Sequence, residues 1–181
     1  VVRVARALVV PGTPGDRRGL PRRARRRRRR RRDDREDARR DRALLTLGWS
    51  SACRRSELVA LDVVDVELQT EGLLVHVRRS KGDQEGKSFD KGVPYASAPA
   101  LCAVRALRAW LDAAGITEGP IFRGVDRYGH VSKTRLSDRS VARVVQRAAS
   151  AAGLDPSRYG KEPFPSGKLP ALLQMLTAAN E

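Results

Sequence analysis

Cysteine, methionine, histidine and aromatic residues are all scarce in this chain of 181 residues, which holds two Cys, one Met, two His and 4% Phe, Trp and Tyr. Cys53 and Cys102 lie far apart, with no Cys-x-x-Cys or Cys/His pairing. That argues against a disulfide scaffold and against a zinc site, and it fits a reducing cytoplasm. No apolar run approaches the ~20 residues that a membrane helix needs. The opening Val1 to Val10 is interrupted by Arg3 and Arg6, which makes a poor signal peptide. What remains is a chain with room for one domain and tails, 40% hydrophobic, carrying a net charge of +16.

Acids are absent where the positive charge is densest. Residues 22–32 hold ten arginines and no acid, residues 1–21 add a net +3, and residues 33–181 keep only +3 of the total. The extreme basicity therefore belongs to one tract. Arg25 to Arg32 form an unbroken like-charge block that repels itself and has nothing to bury, so residues 1–32 read as a disordered segment. One reading of the tract is a nucleic-acid-binding arm, because each arginine can neutralise a phosphate and release counterions. The other is a stretch of GC-rich coding sequence read in a shifted frame, slightly favoured by the abrupt change of character at Asp33.

From Asp33 helical and strand patterns alternate. Ala38, Leu44, Leu45, Leu47 and Trp49 fit an amphipathic helix over roughly 34–49, with Asp33, Asp34, Glu36 and Asp37 suited to its N-terminal dipole. Ser50 and Ser51 are candidate caps for a second helix, Arg54 to Leu61, with Leu58, Val59 and Leu61 inward. The period then changes to two. Val63 to Leu68 and Leu73 to Arg78 predict strands around the turn 69–72, and a third, weaker strand is expected near Gly92 to Ala96. Val104, Leu107, Trp110 and Leu111 predict a helix from Ala103 to Ala114, stopped by Gly115. Pro120 to Arg123 and Gly129 to Val131 bracket a loop or short hairpin. Ser137 caps a helix from about Asp138 to Ala152, with Val141, Val144, Val145 and Ala148 inward. After Gly160 the pattern fails among Pro163, Pro165 and Pro170.

Two segments carry chemistry. The first is Cys53-Arg54-Arg55-Ser56-Glu57-Leu58, at a helix start. The second, 27 positions after Arg54, is Lys81 within Arg78-Arg79-Ser80-Lys81-Gly82, where a strand runs into a polar turn. A guanidinium can grip two phosphate oxygens at once, and an ammonium at a strand end can reach into a groove. With the order of elements over 41–158, the chain resembles the tyrosine recombinase (phage integrase) catalytic domain. The resemblance implies an α+β fold: a mainly helical DNA breaking-rejoining core with a three-stranded antiparallel sheet. It implies a metal-free and cofactor-free phosphodiester cleavage by tyrosine, two arginines, histidines and a lysine. Arg54 matches the first arginine, Lys81 the hairpin lysine that is the general acid for the 5′ oxygen, and Glu57 the acid that holds the site arginine in place. The implied partners are DNA and other recombinase protomers, with no membrane.

The same resemblance exposes departures. A His-x-x-Arg box is expected shortly after the helix ending near Gly153, yet the residues after Gly160 contain neither histidine nor arginine. His76 and His130 fall in a strand and a loop and read as surface side chains. None of Tyr95, Tyr128 and Tyr159 follows such a box, so no nucleophile is assigned, and Tyr159 reads as a packing residue. The separate helical DNA-binding domain usual in the family is replaced by the arginine tract. The expectation is a division into a disordered Arg-rich segment (1–32), a partial catalytic domain (33–159) lacking its C-terminal part, and a divergent tail (160–181), catalytically inactive alone. Two alternatives stay open: a non-catalytic Arg-rich nucleic-acid-binding protein, and a translated relic without function.

Overall fold

The computed structural model describes residues 22–78 and 89–159, with side chains from Glu36 onward. Among the described residues, four α-helices alternate with two small antiparallel sheets: α1 (Arg22–Ser50), α2 (Arg55–Ala60), β1 (Val66–Gln69), β2 (Gly72–Val77), β3 (Phe89–Pro94), α3 (Ala103–Ala114), β4 (Arg123–Val125), β5 (Val131–Arg135) and α4 (Asp138–Ala151). The fold is the expected α+β arrangement, with a three-stranded sheet between the second and third helices. Its order is β1-β2-β3, and the second sheet is the β4–β5 hairpin.

The core follows from the apolar periodicities. Ala43, Leu44, Leu45 and Leu47 of α1 and Val104, Leu107 and Trp110 of α3 are buried, and both helices share one cluster with Leu58, Val75, Val77, Phe122 and Val141. Each such Leu or Val contributes on the order of 1.5–3 kcal/mol by leaving water. Trp110, fully buried, satisfies its indole N–H by donating to the Ile121 carbonyl at 2.9 Å, as a buried tryptophan must. Gly115 ends α3 in the left-handed region at φ 63°, and the Ser137 hydroxyl accepts the Ser140 N–H to open α4 at Asp138, both as the sequence indicates.

In the first sheet Leu73, Val75 and Val77 face the core and pair with Val93, Lys91 and Phe89. Gly72 sits opposite Pro94 because nothing larger fits: a Cβ there would lie 2.2 Å from the Val93 carbonyl oxygen.

Four local expectations are corrected. α1 begins at Arg22, inside the tract expected to be disordered, because arginine is a good helix former and the backbone hydrogen bonds run continuously into the apolar half. Glu36 and Asp37 consequently sit within the helix, where they pair with Arg39 and Arg40 instead of facing an N-terminal dipole. Ser51 does not cap α2: its hydroxyl donates to the Leu47 carbonyl at 2.7 Å and closes α1. Val63–Asp65 is a 3₁₀ turn, not strand. There the Asp65 carboxylate turns back to accept the Asp62 N–H at 2.8 Å, leaving Val64 76% exposed. The expected disorder of residues 1–21 and the tail from Gly160 lie outside the described residues.

Candidate functional site

The site is built around α2, whose start needs an acceptor for its first N–H groups. Arg54 is the N-cap residue, with an extended backbone. Its own side chain has no acceptor, so the cap is supplied from three residues on: the Glu57 carboxylate accepts the Arg54 backbone N–H at 2.9 Å. The same carboxylate receives the Arg54 guanidinium at 3.4 Å. Glu57 is 4% exposed at its side chain, whereas the Arg54 side chain is 47% exposed. A buried acid therefore fixes the backbone and the guanidinium of a half-exposed arginine. That is the adjacency the Arg-x-Ser-Glu spacing predicts.

A third residue was missed by the sequence reading. Lys91, in the middle of β3, points from the core face of the sheet into this corner. Its Nζ donates to the Ala52 carbonyl at 3.2 Å, stands 4.0 Å from Glu57 Oε2 and lies 5.1 Å from the centroid of the Phe89 ring. Ala52 takes φ 48°, a conformation rarely adopted outside glycine, so the α1–α2 junction is a sharp corner. Cys53 is buried beside it. Burial pushes its thiol up from the ordinary range, against smaller pulls from Ser51 and Lys91. The only sequence signal for Lys91 is register, since the residue opposite the core-facing Val75 must share its face.

Lys81 lies outside the described residues. The strands that lead to it do not: β2 ends at Val77 opposite Phe89, the first residue of β3. β3 starts at Phe89, two residues before Lys91, and Arg78 directly follows β2. Arg78 Nε donates to Asp65, and its Nη2 approaches Asp62 at 3.8 Å. Arg135 of β5 completes this second cluster, donating to the Val59 and Leu61 carbonyls at 2.6 and 3.3 Å and to Asp62 at 2.7 Å.

The histidines stand apart from this corner. His76 pairs with Asp90 across the sheet at 2.7 Å, and His130 pairs with Asp126 at 3.0 Å in the β4–β5 turn. Tyr159 packs half-buried against the core, while Tyr95 and Tyr128 are exposed. Among the described residues, no group of three His, Cys, Asp or Glu is arranged to hold a metal ion, and no helix is long and apolar enough to cross a membrane.

Among the described residues, a helical core with one three-stranded antiparallel sheet is compatible with a tyrosine recombinase catalytic core fragment. Curated relatives make the assignment specific. The chain is 46% identical over 116 residues to an integrase/recombinase XerD homolog of Selenomonas ruminantium, covering 64% of this chain and 34% of that protein. It is 32% identical over 123 residues to a tyrosine recombinase XerC of Corynebacterium glutamicum, and 34% identical over 128 residues to one of Corynebacterium efficiens, each match covering 66% of this chain and 34% of the relative. These matches support a tyrosine recombinase family member. The chain spans about a third of the length of the curated relatives that it matches. No protein-family model matches it.

Proposed function

We propose that this chain carries the arginine–lysine half of the phosphate-gripping site of a site-specific DNA recombinase or integrase, and does not complete the reaction by itself. Arg54 would hold the non-bridging oxygens of one DNA phosphate, where a planar guanidinium makes two charge-assisted hydrogen bonds. Lys81 would protonate the departing 5′ oxygen. Glu57 would keep Arg54 aimed. The observation that carries this reading is the buried Glu57 carboxylate holding both the backbone and the guanidinium of Arg54, on a chain of recombinase family. In this reading the partner is DNA, with other recombinase protomers on the same duplex. Both described cysteines are buried and free, a state suited to the cytoplasm. The catalytic part falls within 33–159, flanked by the Arg-rich segment and the divergent tail.

Cleavage also needs a nucleophile and further charge stabilisation, and loss of one oxyanion donor alone costs ~10²–10³ in rate. Residues 160–181 offer no His-x-x-Arg box with a following tyrosine. Incubated with a labelled suicide duplex, the chain should form no adduct that survives a denaturing gel. An adduct lost on changing Tyr95, Tyr128 or Tyr159 to Phe overturns the inactivity. Non-covalent duplex binding should remain and be salt-sensitive. Deleting residues 1–32 should remove most of it, whereas Arg54→Met should weaken the rest and lower the salt slope by about 1. If Arg54→Met changes nothing, the chain is an arginine-tract binder and the recombinase-site reading fails.

A further inference from the structure

The Asp62–Asp65 turn repeats the construction of the Arg54 corner. At each, a helical turn carries an acid at its third residue. One oxygen of that acid accepts the backbone N–H of the residue before the turn: Glu57 Oε2 from Arg54 at 2.9 Å, and Asp65 Oδ2 from Asp62 at 2.8 Å. The other oxygen holds a guanidinium, with Arg54 Nη1 on Glu57 Oε1 and Arg78 Nε on Asp65 Oδ1. In both the acid is buried and the arginine is not: the Asp65 side chain is 6% exposed and that of Arg78 58%. The two corners stand at either end of α2, and the helical rise between Arg54 and Asp62 separates their backbones by on the order of 12 Å.

We propose that Arg78 is a second phosphate-binding arginine, which grips a DNA phosphate other than the one at Arg54. Asp65 takes Arg78 through Nε, which leaves the two Nη groups at the end of a mostly exposed side chain. Nη2 has Asp62 Oδ2 at 3.8 Å, beyond hydrogen-bond distance. The fork of N–H groups that matches two phosphate oxygens is thus held from behind and open in front. Arg135, on the same Asp62, is built the other way. Its Nη1 donates to the Val59 and Leu61 carbonyls and its Nη2 to Asp62 Oδ1, so its fork is occupied. Phosphates of one strand advance ~3.4 Å per nucleotide, so those at the two corners would stand about three to four nucleotides apart. A second grip at that spacing fixes the register of the Arg54 corner along the duplex, which is what backbone contacts do.

The second grip rests on the phosphate-site reading above, and the test separates the two. Duplex affinity of the full chain is titrated against salt for the wild type, Arg78→Met, Arg54→Met and the double variant, with folded fraction checked for each. Arg78→Met should weaken binding about tenfold, as loss of a charge-assisted hydrogen bond does, and lower the salt slope by about 1. Arg78→Lys should keep the slope, because the charge remains, and recover only part of the affinity. In the double variant the slope should fall by about 2, and the two fold-losses should multiply. An unchanged slope in Arg78→Met, where Arg54→Met lowers it, overturns the second grip and leaves the phosphate-site reading standing. Arg78 would then only tie the end of β2 to the turn. A double variant no weaker than Arg54→Met alone also overturns it, because the two arginines would share one phosphate. If Arg54→Met leaves slope and affinity unchanged, the phosphate-site reading fails, and the slope of Arg78→Met alone decides whether this corner meets DNA. Should Arg78→Met not fold, Arg78→Gln, which keeps a donor for Asp65 without the charge, is read in the same way.

Discussion

The two ends of α2 are built from the same ingredients and arranged oppositely. At the exit, Arg135 spends its guanidinium on the Val59 and Leu61 carbonyls and on Asp62. The end of a helix leaves carbonyls in need of donors, and a strand-borne arginine supplies them. At the entrance the carboxylate is the buried member, and the arginine it holds keeps half of its side chain in water. Strand-borne cations grip both ends, Arg135 from β5 and Lys91 from β3. The difference lies in the partners: Arg135 serves two helix-end carbonyls as well as Asp62, whereas Arg54 is held by a buried carboxylate placed behind it.

The comparison breaks most visibly at Glu57. Glu57→Ala removes the acceptor of the Arg54 N–H and leaves Lys91 facing an apolar gap. It should cost about 2–3 kcal/mol in chemical denaturation, with Glu57→Gln losing roughly half of that. Arg135→Met at the other end deprives two carbonyls of a donor, for a loss of about 1–2 kcal/mol, and should leave duplex binding in proportion to the folded fraction. If Arg135→Met weakened binding beyond its effect on folding, the exit cluster would be part of the site. A smaller effect is expected at the β4–β5 turn. There the His130 backbone N–H, followed by that of Tyr128, holds the Asp126 carboxyl below the usual range. A lowered carboxyl stabilises the fold above its unfolded pKa, and the benefit is lost as pH falls through the folded one. Amide exchange at Tyr128 and His130 should therefore rise only below about pH 4, and Asp126→Asn should abolish the pH step.

Helices α3 and α4 were legible to within a residue or two because their apolar spacing, the Gly115 stop and the Ser137 cap agree with one another. The strands were legible as a set but not at their edges. Val63 and Val64 look like strand, yet the Asp62–Asp65 hydrogen bond folds them into a turn, a local side-chain preference overriding β propensity. The start of α1 was missed because like-charge repulsion was weighed and arginine's helix propensity was not. In the site, spacing put Arg54 and Glu57 on one helical face, and the resemblance implied that Glu57 holds the arginine. Lys91 could not be found in this way, since its importance depends on strand register and on a lysine stem crossing from sheet to helix, neither of which a motif records.

The central claim, that Arg54 and Lys81 attend one DNA phosphate, is tested most directly by a double-mutant cycle on duplex affinity. The wild type, Arg54→Met, Lys81→Met and the double variant are titrated at fixed salt with folded fraction checked for each. Two residues on one phosphate should be coupled, with an interaction energy of about 0.5–3 kcal/mol and a double variant much less impaired than the two singles combined. Strict additivity, to within about 0.3–0.5 kcal/mol, would mean that the two side chains serve separate contacts, and would contradict the account.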